Sequence, residues 1–116
     1  AELSFPVRIR WADLDPNFHV RHSVYYDFGA SARIDYFLAC GLTGTTMEQM
    51  HVGPILFREE AVFRRELRYG DALTISVSLT KARRDYARFS FRHVIRREDG
   101  TLCAEINVDG AWIDTQ

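Results

Sequence analysis

The chain has 116 residues, enough for one compact core and too few for two ordinary domains, so a single domain over residues 1–116 is expected. Its 47% apolar and 27% charged residues are the balance of a globular domain, which excludes a disordered tail. A formal net charge of -1 provides no overall field to draw the chain onto nucleic acid or an anionic membrane surface.

In chain order, Leu3, Phe5, Val7, Ile9 and Trp11 alternate with polar or proline positions, predicting a first strand over Leu3–Trp11. From Ser23 to Cys40 the period changes. Val24, Tyr25, Phe28, Ala32, Tyr36 and Ala39 recur at three- and four-residue spacings, and Ala30, Ile34, Phe37 and Leu38 fill much of the remainder. This predicts a helix buried on most sides, with Ser23 as N-cap and Gly41 as the left-handed C-terminal cap. Residues 42–54, "LTGTTMEQMHVGP", read as a Gly- and Thr-rich connection with a short helical turn.

Beyond Pro54, Ile55, Phe57, Ala61 and Phe63 oppose Arg58, Glu60, Arg64 and Glu66 in a second strand. "RYGD", Arg68 to Asp71, is turn chemistry. Leu73, Ile75, Val77 and Leu79 then alternate with Thr74, Ser76, Ser78 and Thr80 as a third strand. After a polar turn at "RRD", the fourth strand carries Ala87, Phe89, Phe91, His93 and Ile95. "EDG", Glu98 to Gly100, is a hairpin signal, and Leu102, Ala104, Ile106 and Val108 mark the fifth strand. One strand, a long apolar helix and four strands joined by turns predict an α+β fold, an antiparallel sheet with the helix on one face. A helix this apolar needs cover on several sides, so an oligomer is expected.

Cys40 and Cys103 lack CxxC spacing and lie in apolar stretches, which predicts buried free thiols in a reducing, cytoplasmic compartment. No basic-then-apolar leader and no membrane-length apolar run is expected to hold the chain at a membrane. Arginine dominates the basic set, with Lys81 the only lysine.

The chemistry concentrates in residues 13–22. Asp13, Asp15 and Asn17 begin like a calcium loop, but the glycine and glutamate that such a loop needs are replaced by Phe18 and Val24. Asp13, Asp15, His19 and His22 are suitable ligand types for a transition metal, yet nothing fixes three of them on one regular face, and no metal is expected. A plain structural reading makes Asp13 and Asp15 Asx turns around Pro16, ahead of a helix. Against it stands position: a carboxylate just before a buried helix faces N–H groups that attract oxyanions, the pairing acyl transfer uses.

"DLDPNFHVRHSVYYDF", with "ARIDYF" and "RYGDALTI" further on, resembles the hotdog-fold acyl-CoA thioesterases of the 4-hydroxybenzoyl-CoA thioesterase type, across essentially the whole chain. The resemblance implies a five-stranded antiparallel sheet wrapped around one long central helix. It further implies a homodimer or homotetramer in which two sheets join, with active sites at the dimer interface. Asp15 would be the catalytic carboxylate, as nucleophile or general base, and the backbone N–H of His22 would polarise the thioester carbonyl. No cofactor is implied, since coenzyme A is part of the substrate.

Asp13, Asn17 and His19 are expected to support the loop. Tyr25 and Tyr26 are candidates for the acyl pocket, and Arg83, Arg84 and Arg88 for the phosphates of CoA. Relatives often carry "FEEAR" where this chain has "FGASAR", so Gly29 and Ser31 leave no second helix-borne carboxylate. Two rival readings are a hotdog hydratase or dehydratase using Asp15 with His19, and a non-catalytic acyl-CoA-binding protein. The chain stops at "AWIDTQ", soon after the fifth strand, where a further element is expected.

Overall fold

The computed structural model describes residues 2–82 and 88–114. The elements are β1 (Glu2–Val7), a 3-10 turn (Trp11–Asp13), α1 (His22–Ala39), α2 (Gly44–Met50), β2 (Val52–Phe63), β3 (Leu73–Ala82), β4 (Arg88–Arg97) and β5 (Leu102–Asp114). The strands form one antiparallel sheet in the order β1-β3-β4-β5-β2, so β1 and β2 are its edges. Against it, Val24, Tyr25 and Phe37 of α1 pack into a core with Ile75, Phe91, Ile106 and other buried apolar residues.

The first strand is shorter than its alternation predicts. It stops at Val7, and Trp11, 67% exposed, enters the 3-10 turn. The cause is Asp13, whose Oδ2 accepts the backbone N–H of Arg10 at 2.8 Å and closes the chain on itself.

The start of α1 also differs from expectation: its N-cap is Arg21, and Ser23 lies inside the first turn. Extended chain is enforced up to Arg21, because Val20 N–H donates to Leu67 C=O and Arg21 N–H to Asp13 C=O. The helix therefore begins at the next residue. Its end is as the sequence predicts. Gly41 has φ 84°, and the N–H groups of Gly41 and Leu42 return to the carbonyls of Leu38 and Phe37.

Within one chain α1 is not buried on most sides. Val24, Tyr25, Gly29, Ala32, Arg33 and Phe37 form the buried stripe, while Ile34 and Leu38 are about half exposed. The sheet covers one face of the helix, and an apolar second face stays open. Cys103 is buried as expected, but Cys40, just past the helix end, is exposed. Both thiols are free.

The predicted faces of β2 are corrected by a bulge. Leu56 pairs with Gly110 and Arg58 with Asp109, leaving Phe57 as the extra residue. The phase of alternation slips there. Ile55 and Phe57 do not share a face with Ala61 and Phe63; Leu56 joins Glu59 and Phe63 towards α1, while Phe57 lies under the Arg88 guanidinium.

The helix and sheet are also linked by a buried polar pair. Arg33 Nη1 lies 3.0 Å from His93 Nε2, and His93 Nδ1 lies 3.2 Å from the carbonyl of Ser76. These contacts set the imidazole neutral, with Nδ1–H donating and Nε2 accepting from the guanidinium. Burial, reinforced by the Arg33 charge, pulls the His93 pKa down to about 4. Gly29 lies against this pair, and a Cβ there would meet both Arg33 and His93 at 3.4 Å, ordinary van der Waals contact.

Candidate active site

The segment between the 3-10 turn and α1 folds back on itself as a two-armed loop. Leu14 pairs with Val20 across it, and Arg21 N–H reaches Asp13 C=O, so the arm carrying Asp15 runs beside the arm that enters the helix. The loop is fastened to the β2–β3 connection by Val20 N–H to Leu67 C=O at 2.8 Å and by the bridge between His19 and Arg68.

At the tip, Asp15 and Pro16 open a tight turn closed by Phe18 N–H to Asp15 C=O at 2.9 Å. Asp15 Oδ1 accepts the N–H groups of Asn17 at 2.9 Å and His19 at 3.1 Å. Among the described residues nothing donates to Oδ2. The turn chemistry of the plain structural reading is therefore real, yet it uses only one oxygen of the carboxylate.

Asp13 is more deeply committed. It is 1% exposed, and Arg10 meets both its oxygens, through the backbone N–H at 2.8 Å and the guanidinium at 2.8 Å. Burial works against its charge, but the Arg10 contacts outweigh burial and hold its pKa below the ordinary carboxylate value. Asp13 acts as a strut. Asn17, exposed, contributes its backbone N–H.

The N-terminus of α1 lies at the foot of the same loop, directly after Arg21, whose N–H meets the Asp13 carbonyl, while Asp15 sits across from His19 at the tip. Arg21 provides no side-chain cap, and the first turn holds no acidic residue, so the N–H groups beginning with His22 lack a fixed anionic partner. The His22 imidazole stacks on Phe63 of β2, with ring centroids 4.3 Å apart and 19° between planes. Tyr25 meets the same Phe63 ring edge-on at 4.9 Å. Sequence reasoning missed Phe63; its only signal was a place in the strand alternation.

His19 turns away from the carboxylate. Its Nε2 lies 3.1 Å from Glu66 Oε2, and only its backbone meets Asp15. The acid–histidine pair that a hydratase would use is not formed. Tyr25 is 2% exposed, with its pKa pushed up to about 12, chiefly by burial; it packs behind His22, and Tyr26 is half-buried beside the core. Arg83 and Arg84 lie outside the described residues. Arg88 lies with Arg58 and Lys81 around a cleft of about 730 Å³, which also takes in Phe57 and Asp109. That cleft is remote from Asp15. Phe57 and Phe63, which mark the two places on β2, are separated by roughly 20 Å of strand.

Among the described residues no group of three or more His, Cys, Asp and Glu is placed to hold a metal ion. Cys103 is no nucleophile candidate, since burial raises its thiol pKa. No helix among them is long and apolar enough to cross a membrane.

The model of the thioesterase-like superfamily matches residues 9–116. The chain belongs to that superfamily. As a thioesterase-like protein it is a thioester hydrolase by class, and its architecture is the hotdog fold. Among curated proteins none matches it. Among solved structures, a hypothetical protein from Staphylococcus aureus in complex with CoA has a TM-score of 0.91 at 20% identity, covering 99% of this chain and 72% of that one. A DHNA-CoA thioesterase from Staphylococcus aureus has a TM-score of 0.90 at 18% identity, covering 99% and 76%. The 4-hydroxybenzoyl-CoA thioesterase from Pseudomonas sp. strain CBS-3 has a TM-score of 0.86 at 25% identity, covering 96% and 84%.

Proposed function

We propose that this thioesterase-like protein hydrolyses an acyl-CoA to free acid and CoA, with Asp15 as the reacting carboxylate and the His22 N–H as the oxyanion donor. The observation that carries the reading is the fastening of the Asp15 turn in the loop that leads into a helix N-terminus with no side-chain cap. In this reading a thioester carbonyl is held between the carboxylate oxygen that the turn leaves free and the helix N–H groups that lack an anion.

Two routes use it. In one, Asp15 attacks the carbonyl carbon, the C–S bond breaks, CoA leaves as thiolate, and water hydrolyses the mixed anhydride. In the other, Asp15 takes a proton from water as that water attacks the carbonyl carbon, and the C–S bond then breaks with CoA leaving as thiolate. Neither needs a cofactor beyond the CoA of the substrate.

The working unit we propose is a homodimer, or a tetramer of such dimers, joined along β2. Ile34 and Leu38 of α1, with Leu56 and Phe63 of β2, leave an apolar surface beside a long open sheet edge, and Ile55 and Val62 are exposed on the strand's other face. The Arg88 cleft, at the far end of its own sheet, would then supply phosphate contacts to the other protomer's thioester site. The proposed compartment is the cytoplasm, in keeping with the free thiols.

The test is Asp15→Asn assayed for thiol release across a panel of acyl-CoAs, with the oligomer sized in parallel. Loss of hydrolysis with the oligomer intact supports the reading, and near wild-type turnover on the best substrate overturns it.

A further inference from the structure

Exposed aromatic rings from separate parts of the chain gather around the Asp15 turn. Trp11 in the 3-10 turn is 67% exposed, Phe18 at the turn's end 61%, and Tyr69 after the β2 connection 58%. The Trp11 ring centroid lies 6.0 Å from that of Phe18 and 6.1 Å from that of Tyr69. Such spacing is that of rings in contact.

Phe18 is also placed where its backbone least suits it. Among the described residues only Phe18, with φ 63°, and His51, with φ 56°, are left-handed without being glycine. His51 closes α2, an ordinary place for that conformation, whereas Phe18 sits in no helix end. The left-handed step reverses the chain after the Asp15–Phe18 turn. It brings the His19 N–H back to Asp15 Oδ1 at 3.1 Å and the His19 C=O to the Asp15 N–H at 2.8 Å.

Glycine would make this step without steric cost. What phenylalanine adds is a ring, and the ring's contact is Trp11. Trp11 in turn meets Tyr69, the neighbour of Arg68, and Arg68 is the bridge partner of His19. The contacts thus close a circuit around the loop that ends where it began, at the residue holding Asp15.

We infer that Trp11, Phe18 and Tyr69 form an aromatic clasp that fixes the Asp15 carboxylate in its turn, making the three rings positioning residues. The inference rests on Asp15 being the reacting group, since only then does its placement govern turnover.

The test compares Phe18→Gly, Phe18→Tyr and Trp11→Ala with the wild type. An activity-independent readout comes first: amide exchange at Asn17 and His19, whose N–H groups hold Asp15 Oδ1, quickens in Phe18→Gly and Trp11→Ala and is normal in Phe18→Tyr. On the best acyl-CoA, kcat falls by roughly tenfold or more in Phe18→Gly and Trp11→Ala, since small misplacements of a reacting group are that costly. KM and thermal midpoint stay near wild type, and Phe18→Tyr restores kcat. Unchanged amide exchange overturns the clasp, as does a loss confined to KM. A wild type that releases no thiol, with exchange altered as expected, instead leaves the clasp standing and removes the catalytic reading of Asp15.

Discussion

The His22 imidazole lies against the Phe63 ring at 4.3 Å, so the first residue of the central helix is pressed onto the open edge strand of the sheet. The same ring supports Tyr25 edge-on. The orientation of the proposed oxyanion donor therefore depends on a side chain far from it in sequence. Phe63→Ala is expected to cost about 1–2 kcal/mol of stability, the lost burial and stacking of a partly exposed ring. Thiol release should slow by roughly tenfold as the N–H loses its aim. Denaturant unfolding and steady-state kinetics on the same preparation check both.

Asp13 is expected to matter for stability rather than for chemistry. Asp13→Ala removes the acceptor for the Arg10 backbone and guanidinium, a loss of about 2 kcal/mol for hydrogen bonds to a charged group. Arg10 is solvent-exposed and rehydrates once its partner is gone, which keeps the cost from rising further. Chemical denaturation measures the loss, and turnover of the surviving folded fraction should remain within a few-fold of wild type.

Acid should unfold the protein in two stages. His93 has a folded pKa of about 4 against an ordinary 6.5, so between these values the unfolded chain binds a proton that the folded one refuses. Stability is full above pH 6.5, falls as pH drops towards 4, and loses no more to His93 below that; the full effect is ~3 kcal/mol. The groups facing His93 are Arg33, whose cation opposes its protonation, and behind it Glu59, whose Oε2 is 3.6 Å from the guanidinium. Asp13 acts later: with its pKa below the ordinary 3.8, its contribution is full above 3.8 and is lost as pH falls from there through the lowered value. Melting midpoints across pH 4–7 for the wild type and His93→Gln, which can still donate to Ser76 and accept from Arg33, should show the first stage flattened in the variant.

Gly110 should tolerate no side chain. A Cβ there would lie 2.3 Å from the Ile55 carbonyl oxygen and 2.8 Å from the Phe89 ring. Gly110→Ala is expected to destabilise by roughly 3 kcal/mol, the upper part of the overpacking range, because the nearest atom is backbone and cannot rotate away. Thermal melting beside the exposed control Gly44→Ala, where a Cβ meets nothing within 4 Å, isolates the effect.

Local chemistry was legible in the sequence wherever neighbours decide the structure. Gly41 ends the helix as its position predicts, and Asp15, Pro16 and Asn17 make the turn their side chains favour. What was hidden depends on pairs distant along the chain. Arg33 and His93 are separated by 60 positions, and no periodicity announces that a guanidinium and an imidazole will meet in a core. The β2 bulge is hidden for a related reason: Ile55, Leu56 and Phe57 are apolar in succession and fit either phase of alternation, and only the pairing with Gly110 and Asp109 reveals the slip. Ser23 is an equally local signal that lost, overridden when tertiary hydrogen bonds held the chain extended as far as Arg21.

The two edges of the sheet are unequal. β2 offers twelve residues, with Pro54 confined to its start, and an apolar flank, whereas β1 has six and carries Pro6. If two copies join along β2, each spends its one inviting edge, and the merged sheet presents only short, proline-bearing strands at its ends. Growth by strand addition thus stops at the pair, and the fold carries its own brake against becoming a fibre.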